Sequence, residues 1–195
     1  MEENYNINSK NENILTISNP ATKFSAFCFE WSEIIVQSFI IVVLLMTFLF
    51  RNFTVDGQSM ENTLLHGDKV AVIRWNYVPK NGDVVVIKRG EQFDKPIVKR
   101  VIATEGQSLK INFSDGSVIV NGEKLNETYI KERMWLKGDA KIPSIIPKGH
   151  CFVMGDNRNH SSDSRFNIIG LVPYENIVGQ AKYVFFPFNR MKVIE

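Results

Sequence analysis

The stretch GQSMENTLLHGD, residues 57–68, sets Ser59 in a glycine-led turn ahead of a Gly-Asp pair. A serine hydroxyl is a weak nucleophile until a neighbouring base takes its proton. Two groups in this chain could be that base. His160 lies in the polar loop GDNRNHSSDSR, residues 155–165, with Asp163 three positions on. A Ser59–His160–Asp163 triad is chemically complete, since triads are defined by geometry and not by chain order. His66, in the turn before Gly67, and His150, just ahead of a strand, read as structural or solvated.

Lys99 is the second candidate. In PIVKRVIA, residues 96–103, strand alternation puts Ile97, Lys99, Val101 and Ala103 on one face. A lysine bracketed by apolar neighbours is desolvated, which lowers its pKa toward the neutral amine that can accept a serine proton. The competing reading is a strand lysine whose head reaches water. Lys80 and Lys95 fall in loops and Lys69 and Lys88 at strand ends, so they read as more exposed. Chemistry alone leaves both bases open.

Around them, MGDNRNHSSDSR (154–165) is densely polar, with Asp156/Arg158 and Asp163/Arg165 each two residues apart. That density points to a hydrogen-bonded structure beside a site; a solvated loop is the competing reading. Cys28 precedes a long apolar run and Cys151 follows it, so the two cannot pair if the run spans a membrane. No disulfide framework and no Cys/His metal spacing is present, and no metal or cofactor is expected. Cys151, in HCFVMGD, reads as strand core and not as a sortase-like nucleophile.

These residues need elements to hold them. Residues 34–50 carry no charge between Glu33 and Arg51, and a helix there covers roughly 25 Å, near the thickness of a bilayer core. With its flanks it reads as a transmembrane signal anchor over 31–52, Trp31 and Phe53 lying near the headgroups. A cleaved leader fits poorly, for lack of a basic start and a small-x-small site. Residues 1–30 read as a disordered tail. The net charge of +2 gives no reason to expect a nucleic acid partner; it divides as −3 over 1–33 and +5 over 51–195. A mildly basic domain could lean on anionic headgroups or have an ordinary solvated surface. Lys23 before the run, against Arg51 and Lys69 after it, gives no charge support for a cytoplasmic N-terminus, although long domains translocate largely regardless of charge.

Beyond residue 53 come short β-like runs at 69–73, 83–88, 96–103, 108–113, 117–122, 151–155 and 177–186, divided by turn residues. Residues 108–122 predict a hairpin turning at Asp115-Gly116. The fold class expected is mainly β: one N-terminal helix, then an antiparallel β domain over 53–195 with a short accessory region at about 104–149.

Four blocks in order behind an apolar segment, GQSMENTLLHGD, NGDVVVIK, VKRVIATEGQ and MGDNRNHSSDSR, followed by VGQAKYVFFPF, resemble the bacterial type I signal peptidases, membrane-anchored Ser/Lys endopeptidases. The resemblance covers about residues 30–190. It implies Ser59 as nucleophile and Lys99 as general base, and Ser161 as the hydroxyl orienting the lysine amine. It implies Asp163 and Arg165 as a pair bracing the loop, with Asp156 in support, and the backbone at Gly57, Gln58 and Ser59 around substrate and oxyanion. It further implies a monomer in the plasma membrane, N-terminus cytoplasmic and catalytic domain outside, cutting secretory preproteins after small residues at −1 and −3. Membrane lipids are the other expected partner. Asn62 stands where the family has proline, and Gly57 where one branch has a hydroxyl residue, so Gly57→Ser is expected to be tolerated. Rival readings are a β domain that binds peptides without cutting, a self-cleaving repressor and the His160 triad.

Overall fold

The structure is a computed structural model and describes residues 20–88 and 95–194. By contacts the chain divides into two units, residues 1–45 and 46–195. Helix α1 runs from Pro20 to Leu49. It begins inside the stretch expected to be a disordered tail, whose residues 1–19 lie outside the described ones. None of the window Phe27–Leu44 is buried, although its mean hydropathy is 1.8. A helix apolar all round and bare on every face is matched to an apolar surrounding. Among the described residues it is the one helix long and apolar enough to cross a membrane.

The second unit is antiparallel β. Its strands are β1 (Phe50–Thr54), β2 (Lys69–Ile73), β3 (Val84–Ile87), β4 (Ile97–Thr104), β5 (Leu109–Asn112), β6 (Ser117–Val120), β7 (Glu123–Lys124), β8 (His150–Met154), β9 (Val172–Pro173), β10 (Ile177–Phe186) and β11 (Lys192–Val193). The larger sheet has the order β1-β2-β10-β3-β4-β8-β9, with β11 paired to β10; β5-β6-β7 form a smaller sheet in the expected accessory region. The seven strands expected from alternation are all present, within one or two residues.

Burial explains the pattern. All four residues of β3 are buried, because it lies inside the sheet with both faces covered. Val84 and Val86 join Val55, Met60, Leu64, Val70 and Val72 in one cluster. Val85 and Ile87 join Val101, Cys151 and Val153 in another. A third cluster seats the small sheet, through Leu109, Val118 and Val120, on Ile102, Ala103, Phe152 and Met154.

Two expectations are corrected. Residues 50–52, assigned to the anchor, form most of β1, where Phe50 pairs with Ile73 and Arg51 with Val72. The alternation of β4 also fails after Val101: the register to β8 slips between Val101 and Ala103, and Ala103 joins Ile102 in the accessory-sheet cluster instead of staying with Val101. Before the slip, Ile97, Val98 and Lys99 pair with β3, and β8 joins only at Arg100. Among the described residues, one side of that start of β4 therefore carries no strand.

Candidate active site

The open side of β4 faces the turn after β1. Val55, Met60 and Leu64 are buried and fix this turn to the core. Backbone bonds close it: Val55 N–H to Asp68 O at 2.8 Å, Gly67 N–H to Val55 O at 2.9 Å and Leu64 N–H to Met60 O at 2.7 Å. Asp68 Oδ2 accepts from Leu65 N–H at 2.8 Å. Gln58 and Ser59 are presented between these pins. Gly57 starts the turn at φ +94°, a region disfavoured for any residue with a Cβ. Serine there, tolerable on sequence alone, carries backbone strain even though the space around the position is open. The Gly57 N–H donates to His66 Nδ1 at 3.2 Å.

Lys99 comes from β4. Its Nζ lies 2.8 Å from Ser59 Oγ and donates to Val98 O at 3.1 Å. The side chain is 4% exposed. Burial lowers its pKa to about 8, opposed by the Asp163 and Asp156 carboxylates and aided slightly by Arg165.

The loop after β8 forms the third wall, buried from Gly155 to Arg165 except at His160 and Ser162. Asn157 grips the Ser59 turn twice, its N–H on Ser59 O at 3.0 Å and its Nδ2 on Gln58 O at 3.1 Å. A Cβ on Gly155 would collide with the Ser161 side chain and the Ser59 carbonyl, so this contact needs glycine. Asp163 and Arg165 form a fully buried pair, bonded at 2.8 Å through both oxygens. Asp163 Oδ2 also accepts from Gly155 N–H at 3.0 Å, and Arg165 donates to Arg158 O and Leu136 O. The result is a rigid loop. Asp156 takes Arg100 bidentately, at 2.9 and 2.8 Å, and accepts from Thr63 Oγ1, joining the loop to β4 and to the Ser59 turn. The Tyr129 ring lies 4.0 Å from the Arg100 guanidinium.

A narrow cleft of about 40 Å³ opens beside Ser59, walled by Val55, Met60, Pro96, Ile97 and Val98. Lys95 Nζ and Asp56 Oδ2 pair at 2.7 Å, on residues next to Pro96 and Val55, and this lysine holds the Asp56 carboxyl below its usual range. Cys151 is fully buried and its thiol is pushed up to about 12 by that burial, far from a reactive thiolate. Among the described residues no group of three or more His, Cys, Asp or Glu could hold a metal ion.

Ser59, Lys99, Asp156, Asp163 and Arg165 are thus brought together in one region of the β unit. Ser161 is beside them, but its Oγ is buried without a hydrogen-bond partner among the described residues and does not bond Lys99. The Ser59–His160–Asp163 triad is not assembled. His160 is exposed, and the Asp163 oxygens are engaged by Arg165 and Gly155.

The signal peptidase family, peptidase S26, matches residues 28–186. This chain belongs to that family. Signal peptidase I T of Bacillus subtilis (strain 168) is 39% identical over 174 residues, 84% of this chain and 88% of its own length. Signal peptidase I of Bacillus licheniformis is 35% identical over 84% of this chain and 91% of its own. For signal peptidase IB of Staphylococcus aureus the identity is 33%, over 84% and 92%. A crystal structure of a signal peptidase I from Enterococcus faecalis is 24% identical, with a TM-score of 0.42, covering 54% of this chain and 98% of that one.

As a member of the signal peptidase family the chain is a peptidase, a hydrolase. Sequence reading of this S26 peptidase missed three residues that build its site. Arg100 falls by alternation on the strand face opposite Lys99, with no sign in the sequence that it is a buried partner of Asp156. Gly155 and Asn157 sit inside a quoted motif, but their contact with the Ser59 turn joins residues about a hundred positions apart. The one sequence signal for them is their place in that dense polar block.

Proposed function

We propose that this S26 peptidase removes N-terminal signal peptides from secreted preproteins, with Ser59 as nucleophile and Lys99 as general base. The observation that carries the reading is the 2.8 Å contact between Lys99 Nζ and Ser59 Oγ at a buried lysine. Burial makes the neutral amine accessible near physiological pH, and the neutral amine is the form that can take a proton.

The substrate segment lies extended along the unpaired side of Ile97–Lys99 and the chain at 54–58. Ser59 Oγ bonds to the scissile carbonyl carbon as its proton passes to Lys99 Nζ. The C–N bond then breaks, and Lys99 returns the proton to the leaving amine. Lys99 next deprotonates a water, whose oxygen displaces Ser59 from the acyl carbon and restores the hydroxyl. The Ser59 N–H is the oxyanion donor of the turn; the Gly57 N–H serves His66 instead. A cleft of about 40 Å³, lined by Asp56 and Lys99 as well as by Val55, Met60, Pro96, Ile97 and Val98, has room for an alanine-sized side chain, which favours a small residue at −1; the proposal extends that preference to −3. The apolar helix α1 supports a single-pass plasma membrane anchor. On this reading the N-terminus is cytoplasmic, the catalytic domain of a monomer is outside, and preprotein and enzyme share one thin layer, which raises their effective concentration.

The test is incubation of the purified protein with a preprotein, wild type and Ser59→Ala, and mass measurement of the products. Cleavage after a small-x-small site by wild type alone is expected. Intact preprotein, or cuts after bulky residues, would refute the proposal.

A further inference from the structure

Between β7 and β8, the segment 127–131 reaches the site through every second residue. The Glu127 carboxylate pairs with the buried Arg158 Nη2 at 2.5 Å. The Tyr129 ring lies over two guanidiniums, 4.0 Å from that of Arg100 and 5.9 Å from that of Arg158, and its hydroxyl donates to Glu127 Oε1 at 3.2 Å. Lys131 N–H donates to Asp156 O at 3.1 Å, and its Nζ pairs with Glu61 Oε2 at 2.7 Å.

Core packing does not account for these contacts. Glu127, Tyr129 and Lys131 lie outside the three apolar clusters, and Tyr129 borders a cavity of about 230 Å³ together with Asn62, Thr63 and Lys192. The residues they touch stand next to those of the site. Arg100 follows Lys99 in β4, and Glu61 comes two residues after Ser59. Asp156 and Arg158 flank Asn157, which holds the Ser59 and Gln58 carbonyls. The three elements that meet at Ser59 are thus tied to one five-residue segment. A desolvated cation–aromatic contact is worth more than a half-exposed ion pair, so Tyr129 is the stronger tie and Lys131 the weaker.

We propose that Glu127, Tyr129 and Lys131 are positioning residues for the peptidase reaction: Tyr129, steadied by Glu127, keeps Arg100 seated on Asp156, and Lys131 holds the Ser59 turn through Glu61. This rests on the reading of Ser59 as nucleophile and Lys99 as base. The three residues act through Arg100, Arg158, Asp156 and Glu61. A reacting pair tolerates little displacement, a shift of about 1 Å costing roughly a hundredfold in rate. The base is affected as well as the geometry. Lys99 Nζ is faced by Ser59 Oγ and Val98 O, by the Asp163 and Asp156 carboxylates, which favour the ammonium, and by Arg165, which disfavours it. Arg100 offsets the Asp156 charge through its two bonds. If Arg100 loosens, Lys99 feels more of that negative charge and keeps its proton to higher pH.

The test uses the full-length protein in detergent micelles and a peptide with a small-x-small site, measuring kcat, KM and the pH profile, with circular dichroism to give the folded fraction. Tyr129→Leu is expected to lower kcat by about tenfold, leave KM nearly unchanged and move the rise of kcat/KM to higher pH. Tyr129→Phe keeps the ring and is expected to stay near wild type. Lys131→Gln is expected to lower kcat by about threefold, and exchanging the pair, Glu61→Lys with Lys131→Glu, to restore it. Lys131→Gln removes one half-exposed pair and no buried charge, so it decides the matter even if Tyr129→Leu does not fold. Folded variants with wild-type kcat and pH profile overturn the positioning role and leave the Ser59–Lys99 reading standing. A loss at Tyr129→Leu that only matches its unfolded fraction, with Lys131→Gln at wild-type kcat, overturns it too. Intact peptide with wild type, or equal cutting by Ser59→Ala, refutes the Ser59–Lys99 reading and the positioning role with it.

Discussion

Ser59 and Lys99 share one hydrogen bond whose direction depends on pH. As an ammonium, Lys99 can only donate to Ser59 Oγ; as an amine it can accept from it. The proposed mechanism needs the second arrangement. With burial setting the lysine pKa to about 8, kcat/KM should be low in acid and rise with pH through about 8, read from a pH profile on a peptide substrate. The carboxylates of Asp163 and Asp156 work against that burial, so the loop tunes the base as well as bracing it. Lys99→Arg should abolish cleavage, because a guanidinium keeps the charge and does not deprotonate below about pH 12. His160→Gln should retain most activity, since His160 is exposed and the Asp163 oxygens are engaged by Arg165 and Gly155. A cleavage assay of both variants, with circular dichroism to check folding, decides between the two bases; a dead His160→Gln alongside an active Lys99→Arg would restore the triad.

The elements that hold these residues were legible where local pattern is strong. KVAVI, PIVKRVIA and IVGQAKYVFF alternate or run apolar because β2, β4 and β10 bury at least one face. By contrast β7, β9 and β11 are two residues each, and their pairing comes from tertiary register, which leaves no local trace. β1 was hidden because Phe50 closes the apolar run and Arg51 and Asn52 follow it at once, so its start reads as membrane flank. The Arg100–Asp156 link was hidden by distance, its partners being 56 positions apart in strand and loop. That link joins two elements to the nucleophile turn, and removing one partner leaves a buried charge. Asp156→Ala should lower stability by about 3–5 kcal/mol, measured by urea unfolding. Gly57→Ser should cost roughly 1–3 kcal/mol through its positive φ and reduce turnover by moving the Ser59 turn; unchanged stability and rate would contradict the strain argument.

At the scale of the molecule, the division at residues 45 and 46 sets where the chain can be cut. A chain starting at Met46 keeps all of β1, whereas one starting at Phe53 loses Phe50–Asn52 and uncovers Ala71, Val72 and Ile73 on β2. The first should show a cooperative β-type unfolding transition and the second a lower Tm by circular dichroism; equal Tm values would mean that β1 contributes nothing to the domain. Lastly, the sheet order places β10, almost the last strand made, between β2 and β3. Ser59 is made with β1–β2 and Lys99 with β3–β4, and β10 is the strand that joins the two pairs. On the proposed mechanism a chain that ends before β10 should therefore show no cleavage, since nothing then seats the serine against the lysine.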